Sequence, residues 1–161
     1  QETAVGHYPV EAVEMMAAIA RATERELPYG RWLPERGPQA NNQYHAIAFG
    51  AVGAVYQLGL KAIVCPTNTG TTARLISAYR PRAPVLALSP RLDIVRRCQL
   101  LWGVTAAVHE EPRETIDLID TCADAAKHAG LAEPGDKIGI TAGLPAGKSG
   151  GTNLFKVHDV E

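Results

Sequence analysis

The run Pro66-Thr67-Asn68-Thr69-Gly70-Thr71-Thr72-Ala73-Arg74 follows an apolar stretch, Ala62-Ile63-Val64-Cys65. It places threonines at 67, 69, 71 and 72, an asparagine and a glycine between a predicted strand and a predicted helix. The first-turn N–H groups of a helix have no intrahelical partner, and the helix dipole adds positive potential there, so an anion is favoured. Threonine hydroxyls are neutral donors that can wrap a phosphate without a fixed counter-charge. A helix cap at Thr69 or Thr71 accounts for one hydroxyl, not for four within six residues. Thr67, Asn68, Thr69, Gly70, Thr71 and Thr72 are therefore candidates for a phosphate-binding loop.

A second loop, Gly143-Leu144-Pro145-Ala146-Gly147-Lys148-Ser149-Gly150-Gly151, also follows an apolar run. Gly-Lys-Ser suggests a nucleoside-triphosphate P-loop, but that motif needs four residues between its glycines and only three separate Gly143 from Gly147. Gly150-Gly151 also stand where a phosphate-binding helix would have to begin. Two readings stay open: a solvated hairpin loop, or a glycine-rich loop whose Lys148 folds over a ligand held at the threonines.

Other polar groups carry less. His109-Glu110-Glu111 reads as a solvated charge cluster, because its residues are consecutive and precede Pro112. Arg96-Arg97 with Asp93 reads as a helix surface with local ion pairs. Trp102, before Gly103 and a strand, reads as a packing residue. Cys65, Cys98 and Cys122 are widely spaced with no CxxC pair, the pattern of buried reduced thiols rather than of zinc or disulfide chemistry.

The elements that must position these loops follow from punctuation and periodicity. Pro9 opens a helix on which Val13, Met16, Ala20 and Leu27 recur at helical spacing. Residues 28–42 hold three prolines, two glycines and two asparagines without periodicity, which marks a linker. From Gln43 to Leu58 an Ala-rich helix with Ile47, Ala51, Val55 and Leu58 on its buried face ends at Gly59 as C-cap. Then come a strand (62–65), a helix (72–79), a strand (84–88) and a helix N-capped by Ser89 with Pro90 at N1 and running to Leu101. A strand (104–108), a helix (112–129), a strand (137–141) and a last alternating segment (153–160) complete the chain. Strands without polar alternation, separated by helices, imply a parallel sheet covered on both faces. The fold class expected is α/β, a three-layer α/β/α sandwich. Its five-stranded sheet is mostly parallel, with one antiparallel edge strand. In such sheets ligands lie beyond the carboxyl ends of the strands.

The 161 residues suffice for one domain, with 46% apolar and 20% charged residues, the mix of a globular protein. Lys+Arg at 16 against Asp+Glu at 17 gives a net charge of -1, without the basic excess of nucleic-acid binders. No apolar run approaches the roughly 18 residues of a membrane span, and the first residues lack the pattern of a secretory signal. A cytoplasmic location is expected. The absence of an initiator Met suggests a piece of something longer.

The order and spacing of several segments resemble the C-terminal domain of pyruvate kinases over nearly the whole chain. Glu2-Thr3-Ala4-Val5-Gly6 with Tyr8-Pro9-Val10-Glu11-Ala12-Val13 resembles the end of that family's catalytic barrel. Thr67 through Arg74 with Tyr79-Arg80-Pro81-Arg82-Ala83-Pro84 resembles its effector-phosphate loop and following helix. Trp102-Gly103-Val104, Gly135-Asp136, Thr141-Ala142-Gly143 and Gly150-Gly151-Thr152-Asn153 complete the pattern. The resemblance implies a terminal barrel helix at 1–27, a linker at 28–42 and the C-terminal α/β domain at 43–161. It implies membership of a homotetrameric glycolytic enzyme that transfers phosphate from phosphoenolpyruvate to ADP with Mg2+ and K+. The catalytic and metal-binding residues of that enzyme lie in domains outside this chain, so no catalytic residue, metal or cofactor is assigned within it.

The resemblance also assigns Thr67–Thr72 to the loop that holds an allosteric effector's phosphate, and Gly147, Lys148, Ser149 and Gly150 to the loop that closes over it. Family members that respond to fructose 1,6-bisphosphate hold its second phosphate with a Trp and an Arg, in and after an insertion following the third strand. Here that connection is short, Glu110-Glu111-Pro112-Arg113-Glu114, and Leu118 occupies the Arg position. This favours a monophosphate effector, a hexose or pentose phosphate or AMP, with the linker as the regulatory lever. Two other readings remain: a stand-alone α/β enzyme for a phosphorylated metabolite, with His109 as base if its strand neighbours the first, or an interaction module with a large exposed apolar surface.

Overall fold

Alternation of short apolar runs with amphipathic segments lets each strand bury both faces, and the structure is built on that rule. The computed structural model describes residues 2–38, 40–110, 115–144 and 151–161. A short helix α1 (Glu2–Val5) precedes α2 (Pro9–Glu26), which Pro9 opens without the loss of a helical hydrogen bond. No residue of α2 is buried. Val10, Val13, Met15, Met16 and Ile19 are 53–66% exposed.

Residues 29–36, within the expected linker at 28–42 where the sequence shows no periodicity, form a helix α3 (Tyr29–Arg36) with Pro34 inside it. Proline removes one backbone hydrogen bond, but Tyr29 and Leu33 lie four apart on one face and are both buried. Tertiary packing of that face overrides local propensity. Helix α4 (Gln43–Leu58) starts at Asn42, whose side chain accepts from the His45 N–H, and ends at Gly59 in the left-handed region. Its buried face is Ala48, Ala51, Val52, Ala54 and Val55, whereas the expected Leu58 is 51% exposed. The face that meets the sheet is thus built from alanine and valine.

The remaining elements are β1 (Ala62–Pro66), α5 (Thr71–Ala78), β2 (Val85–Ser89), α6 (Leu92–Cys98), β3 (Val104–Val108), α7 (Thr115–His128), β4 (Lys137–Ala142) and β5 (Leu154–Asp159). The sheet order is β3-β2-β1-β4-β5. β1 pairs in parallel with β2 and β4, β2 pairs in parallel with β3, and β5 runs antiparallel to β4 at the edge. Alternate strand residues feed two cores. Ile63, Cys65, Val85 and Ala87 pack with α4, α5 and α6, while Ala62, Val64, Leu86, Ile138 and Ile140 pack with α7. The three-layer, mostly parallel arrangement with one antiparallel edge is the expected one.

Several local expectations are corrected. Ser89 does not cap α6: it is the last residue of β2, paired with Val108 and 1% exposed, and the N-cap is Arg91. The ladder takes the Ser89 backbone, and its hydroxyl accepts from the Arg91 N–H at 3.3 Å instead. α6 stops at Cys98, and Leu100 and Leu101 close a turn back on Arg97 and Cys98. Asp93 pairs with Arg91 rather than Arg96 or Arg97, through bonds of 3.2 and 2.8 Å. The guanidinium bond holds the Asp93 carboxyl below its ordinary range. The expected start of α7 at Pro112 lies outside the described residues. Among the described residues, no helix is long and apolar enough to cross a membrane.

Candidate functional site

β1 keeps its ladder as far as Thr67, whose N–H donates to Leu88 at 2.8 Å. The chain then turns away from the sheet, and Gly70 becomes the N-cap of α5 with φ 77°. Two constraints act on Gly70. A left-handed backbone disfavours any Cβ, and a Cβ here would stand 3.0 Å from Cys98 Sγ. The Gly70 N–H donates to Thr67 Oγ1 at 2.9 Å. Thr69 Oγ1 accepts more weakly from the Thr71 N–H at 3.4 Å, and the Thr69 and Thr71 hydroxyls are 2.9 Å apart. Side-chain hydroxyls thus hold the turn that presents the first turn of α5. Thr69 and Thr71 are exposed, whereas Thr67, Asn68 and Thr72 are half-buried.

The second loop is drawn to the first. The Asn153 N–H donates to Ala142 at 3.0 Å, and its side-chain amide bonds both the N–H and the carbonyl of Leu144 at 2.7 Å. A Cβ on Gly143 would stand 2.8 Å from the Gly151 carbonyl oxygen, so the two ends of the loop need glycine to approach this closely. Thr152, 8% exposed, meets Thr72 with hydroxyls 2.5 Å apart. Gly147, Lys148, Ser149 and Gly150 lie outside the described residues.

β1 and β4 are neighbours, while the chain from β1 proceeds to β2 and β3 on the other side. The gap between β1 and β4 is therefore a topological switch point, where doubly wound sheets hold ligands beyond the strands' carboxyl ends. Thr67 to Thr72 and the loop after β4 both emerge there. One residue missed from sequence also stands there, Tyr44 in the first turn of α4. A Cβ on Gly151, which has φ 127°, would lie 2.6 Å from Tyr44 Oη. The signal for Tyr44 was the order of elements, since a helix feeding β1 starts at the sheet's carboxyl end.

His109 does not reach this site. It follows β3, and β2 separates β3 from β1, so two strand spacings (roughly 10 Å) intervene. Its Nδ1 is 2.9 Å from the carbonyl oxygen of Glu110. The condition for His109 to act as a base at the threonine loop is not met. The thiols offer no nucleophile either: burial pushes Cys65 and Cys98 up from their ordinary value, and Cys122 up to about 12. Trp102 packs as expected, against Tyr29 with ring centroids 5.7 Å apart. An open cleft of about 310 Å³ beside it is lined by Leu27, Tyr29, Tyr56 and Arg82 and shares no residue with the threonine loop.

Residues 45–158 match the family model described as pyruvate kinase, alpha/beta domain. The chain is 41% identical over 161 residues to a pyruvate kinase of Clostridium acetobutylicum, covering 99% of this chain and 34% of that protein. It is 39% identical over 158 residues to that of Geobacillus stearothermophilus, covering 98% of this chain and 27% of that protein. The crystal structure of a pyruvate kinase from Cryptosporidium parvum superposes with a TM-score of 0.87 at 28% identity, over 99% of this chain and 32% of that one. The chain thus spans between about a quarter and a third of the length of these relatives, 27–34%. With the doubly wound sheet and its strand order in place, this chain belongs to the pyruvate kinase α/β-domain family.

Proposed function

We propose that this chain is the allosteric and assembly domain of a pyruvate kinase, and that its threonine loop binds the phosphate of a sugar monophosphate or nucleotide monophosphate effector. The observation that carries the reading is the junction of the two loops at the switch point, made by the Thr72 and Thr152 hydroxyls. A phosphate at the start of α5 meets the positive end of the helix and a ring of hydroxyl donors. Leu118, at the position where bisphosphate-responsive relatives carry a cation, is 4% exposed within the core below α7, which favours a single phosphate. Lys148 and its neighbours would close over the ligand.

In this reading phosphoryl transfer from phosphoenolpyruvate to ADP, with its Mg2+ and K+, belongs to the part of the enzyme that this chain does not span. The exposed apolar side chains of α2 are the surface that the catalytic barrel covers in a homotetrameric, cytoplasmic enzyme. A thermal-shift titration with inorganic phosphate, glucose 6-phosphate, ribose 5-phosphate, AMP and fructose 1,6-bisphosphate tests the effector. A ligand at 100 times its Kd adds about 2.7 kcal/mol, and that gain should vanish in Thr67→Ala/Thr72→Ala. A response that survives the double substitution would place the site elsewhere, and no response to any ligand would remove the effector role from this chain.

A further inference from the structure

Helix α5 begins in the threonine loop, and its far end is tied to the segment that leads out of the α/β unit. We infer that α5 and Trp102 form a latch that couples the threonine loop to α2 and α3, so that a ligand at one end changes the hold on Glu24 at the other. This rests on the effector reading above and adds the route by which that site acts.

The far end of α5 is held by contacts from three directions, and one of them leads on to α2. Ser77 Oγ, buried on α5, donates to the Trp102 carbonyl at 2.7 Å. Trp102 Nε1 in turn donates to Glu24 Oε1 on α2 at 3.1 Å. Arg36 on α3 donates from Nη1 to the carbonyl of Ala78 at 3.2 Å. Tyr79, the C-cap and 1% exposed, places its hydroxyl 3.2 Å from His45 Nδ1. The indole of Trp102 is thus gripped at its N–H by a carboxylate on α2 and at its backbone by a hydroxyl on α5.

Arg80 adds the feature that makes the latch two-state. Its guanidinium lies 5.2 Å over the Trp102 ring, and its φ of 50° is the one positive value on a non-glycine among the described residues. A left-handed backbone on a residue with a Cβ persists only where surrounding contacts over-determine it. Release of Trp102 removes one of those contacts and leaves Arg80 free to relax, so held and released forms are distinct states.

α5 carries the coupling because it is short and firmly seated. Its eight residues span about 12 Å at a rise of roughly 1.5 Å each. Ala73, Ile76 and Ser77 are buried along it, and Gly70 sits against Cys98 with no room for a Cβ. A shift of its first turn to meet a phosphate is passed to Ser77 rather than absorbed by bending. The ligand acts only through its different affinity for the two forms, and the effect is reciprocal: opening the latch must alter the threonine loop.

The experiment uses this chain in a Trp32→Phe background, which leaves Trp102 as the single tryptophan, with hydrogen exchange on the unsubstituted chain as a second readout. Saturating glucose 6-phosphate should shift Trp102 emission and change exchange at residues 20–36. In Ser77→Ala the ligand should still raise the melting temperature, while the emission shift is lost. A ligand that stabilises the chain but leaves Trp102 and residues 20–36 unchanged would overturn the latch and leave the effector reading standing. If no phosphate ligand stabilises the chain, the effector reading fails, and the latch is judged by its reciprocal arm. There, Glu24→Gln and Ser77→Ala should each change exchange at residues 67–74 by about five-fold or more, the lower range of allosteric coupling. Unchanged exchange at 67–74 in both variants would overturn it.

Discussion

Thr72 and Thr152 are 80 residues apart in the chain, yet their hydroxyls stand 2.5 Å apart where β1 and β4 leave the sheet. One threonine lies in the first turn of α5 and the other precedes the edge strand. The contact therefore joins the loops on the two sides of the switch point.

Thr72→Val should cost about 1–3 kcal/mol, because it leaves the hydroxyl of the buried Thr152 without its partner. Thr72→Val/Thr152→Val should cost less than the sum of the two single substitutions, since two apolar groups of similar shape replace the pair. Urea unfolding of the four proteins measures this. Strict additivity would mean that the hydroxyls do not interact in solution.

Gly70→Ala should destabilise by about 1–3 kcal/mol through its left-handed backbone, with crowding against Cys98 in addition. Adding Cys98→Ala should recover only the crowding share, because the backbone strain stays. Full recovery in the double variant would assign the whole cost to packing. The same urea titration reads both variants.

The pH dependence of stability has a definite sign at the alkaline end. Cys122 has an ordinary value of 9.0, raised by burial to about 12 in the folded chain. The unfolded thiol ionises first, so this contribution is fully present below pH 9 and is lost as the pH rises through 9 toward 12. Cys122→Ala should flatten the decline of the urea midpoint over that window. Iodoacetamide should also label Cys65, Cys98 and Cys122 slowly in the native chain and rapidly in denaturant, as mass spectrometry would show.

The exposed stripe on α2 makes a different kind of prediction. Met16→Ser/Ile19→Ser should leave the urea midpoint within about 0.5 kcal/mol of the parent, since both side chains are already in water. Sedimentation should show weaker self-association, because the apolar patch that α2 presents is reduced. A large loss of stability would show that α2 packs on the domain in solution.

Much of this molecule was legible in its residues. Ala62-Ile63-Val64-Cys65 and Val85-Leu86-Ala87-Leu88 lack polar alternation, which only a parallel sheet covered on both faces tolerates. Gly59 marked the end of α4 by its freedom in the left-handed region. Four hydroxyls in six residues, around the start of α5, marked the candidate loop with no knowledge of its neighbours. These signals are local, because each depends on one side chain's own conformational limits or on the period of its element.

What tertiary structure alone decided is long-range. The strand order β3-β2-β1-β4-β5 placed β4 beside β1, which brought Thr152 to Thr72 and kept His109 away. Residues 29–36 are helical in spite of Pro34, because burial of Tyr29 and Leu33 outweighs one lost hydrogen bond. Ser89 went to the ladder rather than to the cap of α6, because Val108 was there to pair with it. Trp102 between Glu24 and Arg80 has no sequence signature at all, and the order of elements puts Tyr44 at the sheet's carboxyl end without naming Gly151 as its partner. A residue's spacing sets which face of its own element it occupies, but its partner across the fold is set by how the layers pack.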